Sequence, residues 1–253
     1  MAPRPRSATA ATAREPAPPR LPTRDDQAGP DSAGRDLEPE TTYRGVALRD
    51  VDLSGRCAES VEFEQCRLRG VDLSGTRIDA ARFTDCLVET CDWANLRSDH
   101  GALVRVRFAG SRMTGLGYAS GVLRDVVFEE CRLDLSGWRF ASFRAVRFDR
   151  CTLTGADFTG ADLGGARFVG CDLSGAHFDD ARMEGTIVGG CELAGIGGVT
   201  SWRGATVDGT DLAALALVMA GALGIRIDAG GGERDEGDRT GGDGARRSSP
   251  RPA

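Results

Sequence analysis

Eight cysteines, two histidines and a recurrent aspartate are the side chains of this sequence that could do chemistry. Thiolates could hold zinc or pair as disulfides, and a histidine beside a carboxylate could serve as a base. The spacing favours none of these. Cys131, Cys151, Cys171 and Cys191 stand twenty residues apart, whereas zinc sites draw on closely spaced pairs. His100 follows Asp99 and His177 lies near Asp157 and Asp179, yet no nucleophile elbow, phosphate loop or zinc motif accompanies either. The chain therefore reads as noncatalytic, with no metal and no cofactor.

What positions these residues is a period of five. Every fifth residue from Leu53 to Leu193 forms a column of 29 positions, of which only Ser98 is not apolar. At the chain's 40% apolar content, chance would supply about 12. A second column two residues earlier is small: Val61, Cys66, Val71, Ala81, Cys86, Cys91, then Cys151, Ala156, Ala161 and Ala166. Neither a helix nor a strand repeats every five residues, so the pattern belongs to a repeat architecture whose narrow interior alternates large and small side chains. Seven cysteines occupy the small inward slot and only Cys57 points outward, so the thiols read as reduced core residues. Reduced cysteines fit a cytoplasmic protein.

The blocks AlaAspPheThrGly (156–160), AlaAspLeuGlyGly (161–165) and CysAspLeuSerGly (171–175) resemble the pentapeptide-repeat family. The resemblance covers about 41–208 and implies an all-β solenoid, a right-handed quadrilateral β-helix with four pentapeptides per coil and about seven to eight coils. Residues twenty apart should then stack. Phe108, Phe128, Phe148 and Phe168 form one such ladder, Leu133, Leu153, Leu173 and Leu193 a second, and Cys131, Cys151, Cys171 and Cys191 a third.

On either side of the repeat the composition changes. Residues 1–40 are rich in Pro, Ala and Arg, with Pro16, Pro18 and Pro19 opposing a helix, and are expected to be a disordered N-terminal tail. Residues 228–253 are expected to form a disordered C-terminal tail. Between repeat and tail, residues 209–227 predict a helix with Thr210 or Asp211 as N-cap and Gly224 as its stop. Its stripe of Leu212, Leu215, Ala216, Met219 and Leu223 is expected to seal the coil. Ala213, Ala214, Leu217 and Val218 are left for a second copy of the chain. No apolar run suggests a membrane span or a signal peptide. All 32 basic residues are Arg, a composition that suggests a GC-rich, bacterial coding sequence.

A filled rod acts through its outside. Residues 41–200 carry 19 Arg against 23 acidic residues, so direct nucleic-acid binding is not indicated. Outward candidates are the column Asp52, Asp72 and Asp92, and an apolar cluster of Ala102, Val104 and Val122 with Leu87 and Val127 around the corner. The leading reading is a protein-interaction scaffold. The alternative follows from the resemblance. Gyrase-binding members that give fluoroquinolone resistance dimerise through a C-terminal module similar to ValThrSerTrpArgGlyAlaThrValAsp (199–208), and the acidic rod imitates DNA for a type II topoisomerase, gyrase or topoisomerase IV.

Overall fold

The computed structural model describes residues 14–21 and 37–226. Residues 37–208 wind into a parallel β-solenoid of about eight turns. Up to residue 189, paired segments stand twenty residues apart, as in Phe108 opposite Phe128 and Phe128 opposite Phe148. At the usual spacing of ~4.8 Å between strands, eight coils make a rod of roughly 38 Å.

The period of five has a backbone cause. Every fifth residue from 40 to 195 has positive φ, near 50–90°, so the chain turns a corner after each pentapeptide and returns after four. Many of these corner residues are not glycine, which makes each left-handed conformation unfavourable by itself. The ladder compensates: the corner N–H of Gln65, Thr90 and His100 donates to the carbonyl nineteen residues on, at 2.9–3.0 Å. The aspartate that recurs in the repeats closes the same turn. Asp52, Asp72, Asp92 and Asp172 each accept the N–H two residues ahead at 2.8–2.9 Å.

Inside, the phenylalanines at 108, 128, 148 and 168 are fully buried and stack face to face, with ring centroids 4.8–5.0 Å apart. The inward cysteines do more than fill space. The thiols of Cys66, Cys86, Cys151 and Cys171 donate to the carbonyl 23 residues earlier at 3.1–3.5 Å, tying coil to coil. Thr76 and Thr186 make the same bond at 2.8 Å, so a slot that looks apolar in sequence rewards a small donor. Ser98, the break in the large column, is also explained. Its Oγ and the Tyr118 hydroxyl stand 2.8 and 2.6 Å from the point where a Cβ on Gly101 would sit. The tyrosine one coil later thus uses volume that a large residue at 98 would need.

The far end closes as a shortened coil, Val188 pairing with Val207 nineteen residues on, followed by a single helix at Leu212–Ala222. Ala, Leu and Met favour the helix. It ends in a Schellman motif, with Gly224 at φ 71° and the Ile225 N–H donating to the Ala220 carbonyl at 2.8 Å. Asp211 stands at the helix start as anticipated, but its carboxylate turns back to accept the Cys191 N–H at 3.3 Å. It occupies the slot where the cysteine column would continue, and repeats there the bond that the Cys91 N–H gives the Ser111 hydroxyl at 3.2 Å lower in the rod.

Two expectations need correction. Residues 14–21 do not belong to a disordered tail: they lie against the rod, and the coil itself begins by Leu37, which is buried. The rest of the predicted N-terminal tail, 1–13 and 22–36, and all of 228–253 lie outside the described residues. The helix also seats differently. Ala214, Leu215 and Val218 pack on the core, while Leu212, Met219 and Leu223 face out. The assumed stripe ran too far around the helix, because an apolar helix carries no sequence mark for which side is covered.

Candidate interaction faces

Each coil carries four flat faces and four corners, and the register fixes what stands on them. Asp52, Asp72, Asp92, Arg112, Arg132, Thr152, Asp172 and Glu192 follow one another up a single face. The acidic run is short, its last member Asp92 receives a bond from Arg112 at 3.0 Å, and Oδ1 of all three aspartates is already committed to a turn. Hydrogen bonds from the Ser54 hydroxyl and N–H hold Asp52 below the usual carboxylate range. Arg67, Arg107, Arg147 and Arg167 line another face, where Arg107 meets Glu129 and Arg147 meets Asp149 at 2.6 Å. The charge is locally balanced.

The most developed site is a corner. Between residues 82 and 149, strands of eight residues run through the bend without a break, at Arg82–Glu89, Ala102–Ala109, Val122–Glu129 and Ser142–Asp149. The bend residues of the first three, with Gln65 below, make a ledge of Gln65, Asp85, Arg105 and Asp125 along the rod, and Ala145 follows above. Arg105 grips Asp85 with two bonds of 2.6 and 2.7 Å. Across this ledge lies 14–21, ArgGluProAlaProProArgLeu, running opposite to the rise of the coils. The Ala17 N–H donates to Asp125 at 3.0 Å and the Arg20 N–H to Asp85 at 2.9 Å, while Gln65 donates to the Arg20 carbonyl at 3.3 Å. Arg14 reaches Asp125 at 3.4 Å, and Glu15 bridges Arg147, at 3.8 Å, and Arg167. Burial would raise the Asp85 pKa, but the bonds from Arg105 and Arg20 outweigh it and hold the carboxyl below its ordinary range.

Sequence reading missed this ledge. Its signal was nonetheless present: Leu87, Val104 and Val127, singled out as an outward apolar cluster, are half-buried and flank the ledge in the chain. Ala102 is half-buried as well, and Val122 is 43% exposed. At the opposite corner Leu135, and at the next one Phe140, stand exposed on the rod surface.

The helix presents the second candidate face. Of the four residues proposed for a dimer contact, Ala213 and Leu217 face outward, and Ala214 and Val218 are half-buried against the coil. Leu217 also lines a shallow cleft with Ile196, Val199 and Gly221.

His177 lies 3.9 Å from Asp179, both mostly exposed, and burial pushes the Cys91 thiol up to about 11. Among the described residues no cluster of His, Cys, Asp or Glu could hold a metal ion, and no helix is long and apolar enough to cross a membrane.

The sequence matches the profile of pentapeptide repeats, in eight copies, over residues 48–85, and that of a pentapeptide repeat region over 101–178. The chain is a pentapeptide-repeat protein. Among solved structures, this pentapeptide-repeat protein is similar to a trypsin-treated variant of QnrB1, a plasmid-mediated fluoroquinolone resistance protein. The identity is 17%, over 77% of this chain and 99% of that one, with a TM-score of 0.34. It is also similar to HetL from the cyanobacterium Nostoc sp. strain PCC 7120, a pentapeptide repeat protein involved in heterocyst differentiation regulation. There the identity is 15%, over 69% and 90% of the two chains, with a TM-score of 0.34. A third is Rfr23 from the cyanobacterium Cyanothece 51142, 11% identical over 68% and 91%, with a TM-score of 0.18. No curated protein sequence matches the chain significantly.

Proposed function

We propose that this pentapeptide-repeat protein is a noncatalytic cytoplasmic rod that works by docking proteins on its outside, and that it pairs with a second copy through its C-terminal helix. The observation that carries this reading is the helix itself. Leu217 and Leu223 are 60% and 69% exposed, beside exposed Leu212, Met219 and Ile225. Apolar side chains gathered on one end of a rod whose interior is already filled favour association. Sedimentation of the full chain should give a dimer, and Leu217→Glu a folded monomer. A monomeric wild type would remove the helix as a contact.

A narrower reading, a dimer that imitates duplex DNA for a type II topoisomerase, uses the same helix. Duplex DNA carries about one charge per 1.7 Å, whereas the Asp52, Asp72 and Asp92 column gives way to Arg112 and Arg132 within the same face. The scaffold reading is therefore preferred. A supercoiling assay with purified gyrase decides between them: inhibition at micromolar protein would favour mimicry, and unaffected supercoiling the scaffold.

A further inference from the structure

Residues 16–20, ProAlaProProArg, contain only two backbone N–H groups, those of Ala17 and Arg20. Both donate to ledge carboxylates, Ala17 to Asp125 and Arg20 to Asp85. Proline thus stands at every position in this stretch whose amide the ledge does not use. The spacing agrees with the same logic. Three residues of polyproline II chain advance about 9.3 Å, and Asp85 and Asp125 are two coils apart, about 9.6 Å at ordinary strand spacing. A left-handed extended chain therefore meets the rod in register, one turn of peptide to every two coils. Charge adds direction, because Glu15 faces Arg147 and Arg167 at the leading end while Gln65 takes the Arg20 carbonyl at the other.

We infer that the ledge of Gln65, Asp85, Arg105 and Asp125 is a recognition site for extended proline-rich segments of partner proteins, with 14–21 of the same chain as its resident occupant. The segment it takes has an acidic residue ahead of the prolines and two non-proline residues three apart. Recognition runs mainly through backbone donors, so side chains at the exposed position of Pro18 are free to vary. Pre-set proline φ angles reduce the entropy lost on docking. A segment held in the same chain competes at an effective concentration on the order of millimolar, so a partner displaces it only when its own segment is tethered or abundant. The ledge is remote from the C-terminal helix, and the inference does not depend on dimer formation.

The experiment uses the full chain carrying Ala17→Pro and Arg20→Pro, which deletes both donors while keeping an extended backbone. Its probe is a fluorescein-labelled synthetic peptide of residues 14–21. Anisotropy should show saturable binding to the double variant at least tenfold tighter than to wild type, whose own segment blocks the site. Adding Asp85→Ala and Asp125→Ala to the double variant should weaken that binding at least tenfold, and a peptide with both donors replaced by proline should not bind. Trypsin should cleave after Arg14 at least tenfold faster in the double variant. Equal binding of the donor-free peptide, no binding to the double variant, or unchanged protection of Arg14 would each overturn the assignment. Sedimentation of the same proteins reports the helix contact separately.

Discussion

Opposite corners of this rod share one backbone geometry and carry different side chains. The ledge places Gln65, Asp85, Arg105 and Asp125 at φ of 52–56°, while half a coil away Gly55, Gly75, Gly115, Gly155 and Gly175 take up the same conformation, interrupted by Asn95 and Leu135. Glycine adopts positive φ freely, whereas a residue with a Cβ resists it by about 1–2 kcal/mol. The glycine corner is the lower-energy answer to the turn. The ledge gives that up on successive coils and gains two carboxylates that accept from a passing chain, one of them held by the Arg105 guanidinium.

The largest expected effect removes both corners together. Phe148→Asp sets a charge between Phe128 and Phe168, whose rings stack on it at 4.8 and 5.0 Å. Several kcal/mol of uncompensated burial should melt the neighbouring coils, seen as lost β-structure by circular dichroism at temperatures where wild type stays folded. Next comes the ledge. Asp85→Ala strips Arg105 of a two-bond partner and Arg20 of its acceptor, and should lower unfolding free energy by about 2 kcal/mol while opening Arg20 to trypsin. Chemical denaturation with and without protease separates the two consequences. The glycine corner should respond in the opposite direction: Leu135→Gly relieves a strained φ and removes an exposed apolar side chain, so denaturation should show no loss and up to about 1 kcal/mol gained.

Acid sharpens the same contrast. Hydrogen bonds from Ser174 hold Asp172 low, and Asp157, which burial alone would raise, is held low by Thr159 and Arg139. Together with Asp85 they bind protons less readily folded than unfolded. Their stabilisation is complete above the ordinary carboxylate value of 3.8 and disappears as pH falls through the lower folded values. Thermal melts between pH 5 and 2 should therefore fall steadily, with about one carboxylate less of that dependence in Asp85→Ala. A flat profile would mean that the aspartate turns carry no stability.

Most of the interior could be read directly from residue order. A period of five with alternating large and small residues admits few backbones, because each inward side chain must fill a slot bounded by identical coils above and below; Phe108, Cys151 and Leu173 were assigned on that ground alone. Ser98, the one exception, had no explanation in residue order; only the fold shows Tyr118 using the space. The outside was less legible. Ala214 and Val218 could not be told from Leu212 and Met219, since an apolar helix offers no polar face to mark solvent.

The ledge went unread for a different reason, although apolar residues flanking it had been singled out. ProAlaProProArg reads as a chain without a core, as in isolation it is: it buries too little apolar surface to order itself. Its order comes from acceptors on coils that the chain builds much later, Asp85 standing 65 positions from Arg20 and Asp125 108 from Ala17. Local order dictated the repeat, its turns and its filled centre, because those forces act between neighbours along the chain and between equivalent coils. Only the assembled rod decided which corner would meet an extended strand and which side of the helix would be left bare, because both depend on surfaces that exist nowhere until the coils are stacked.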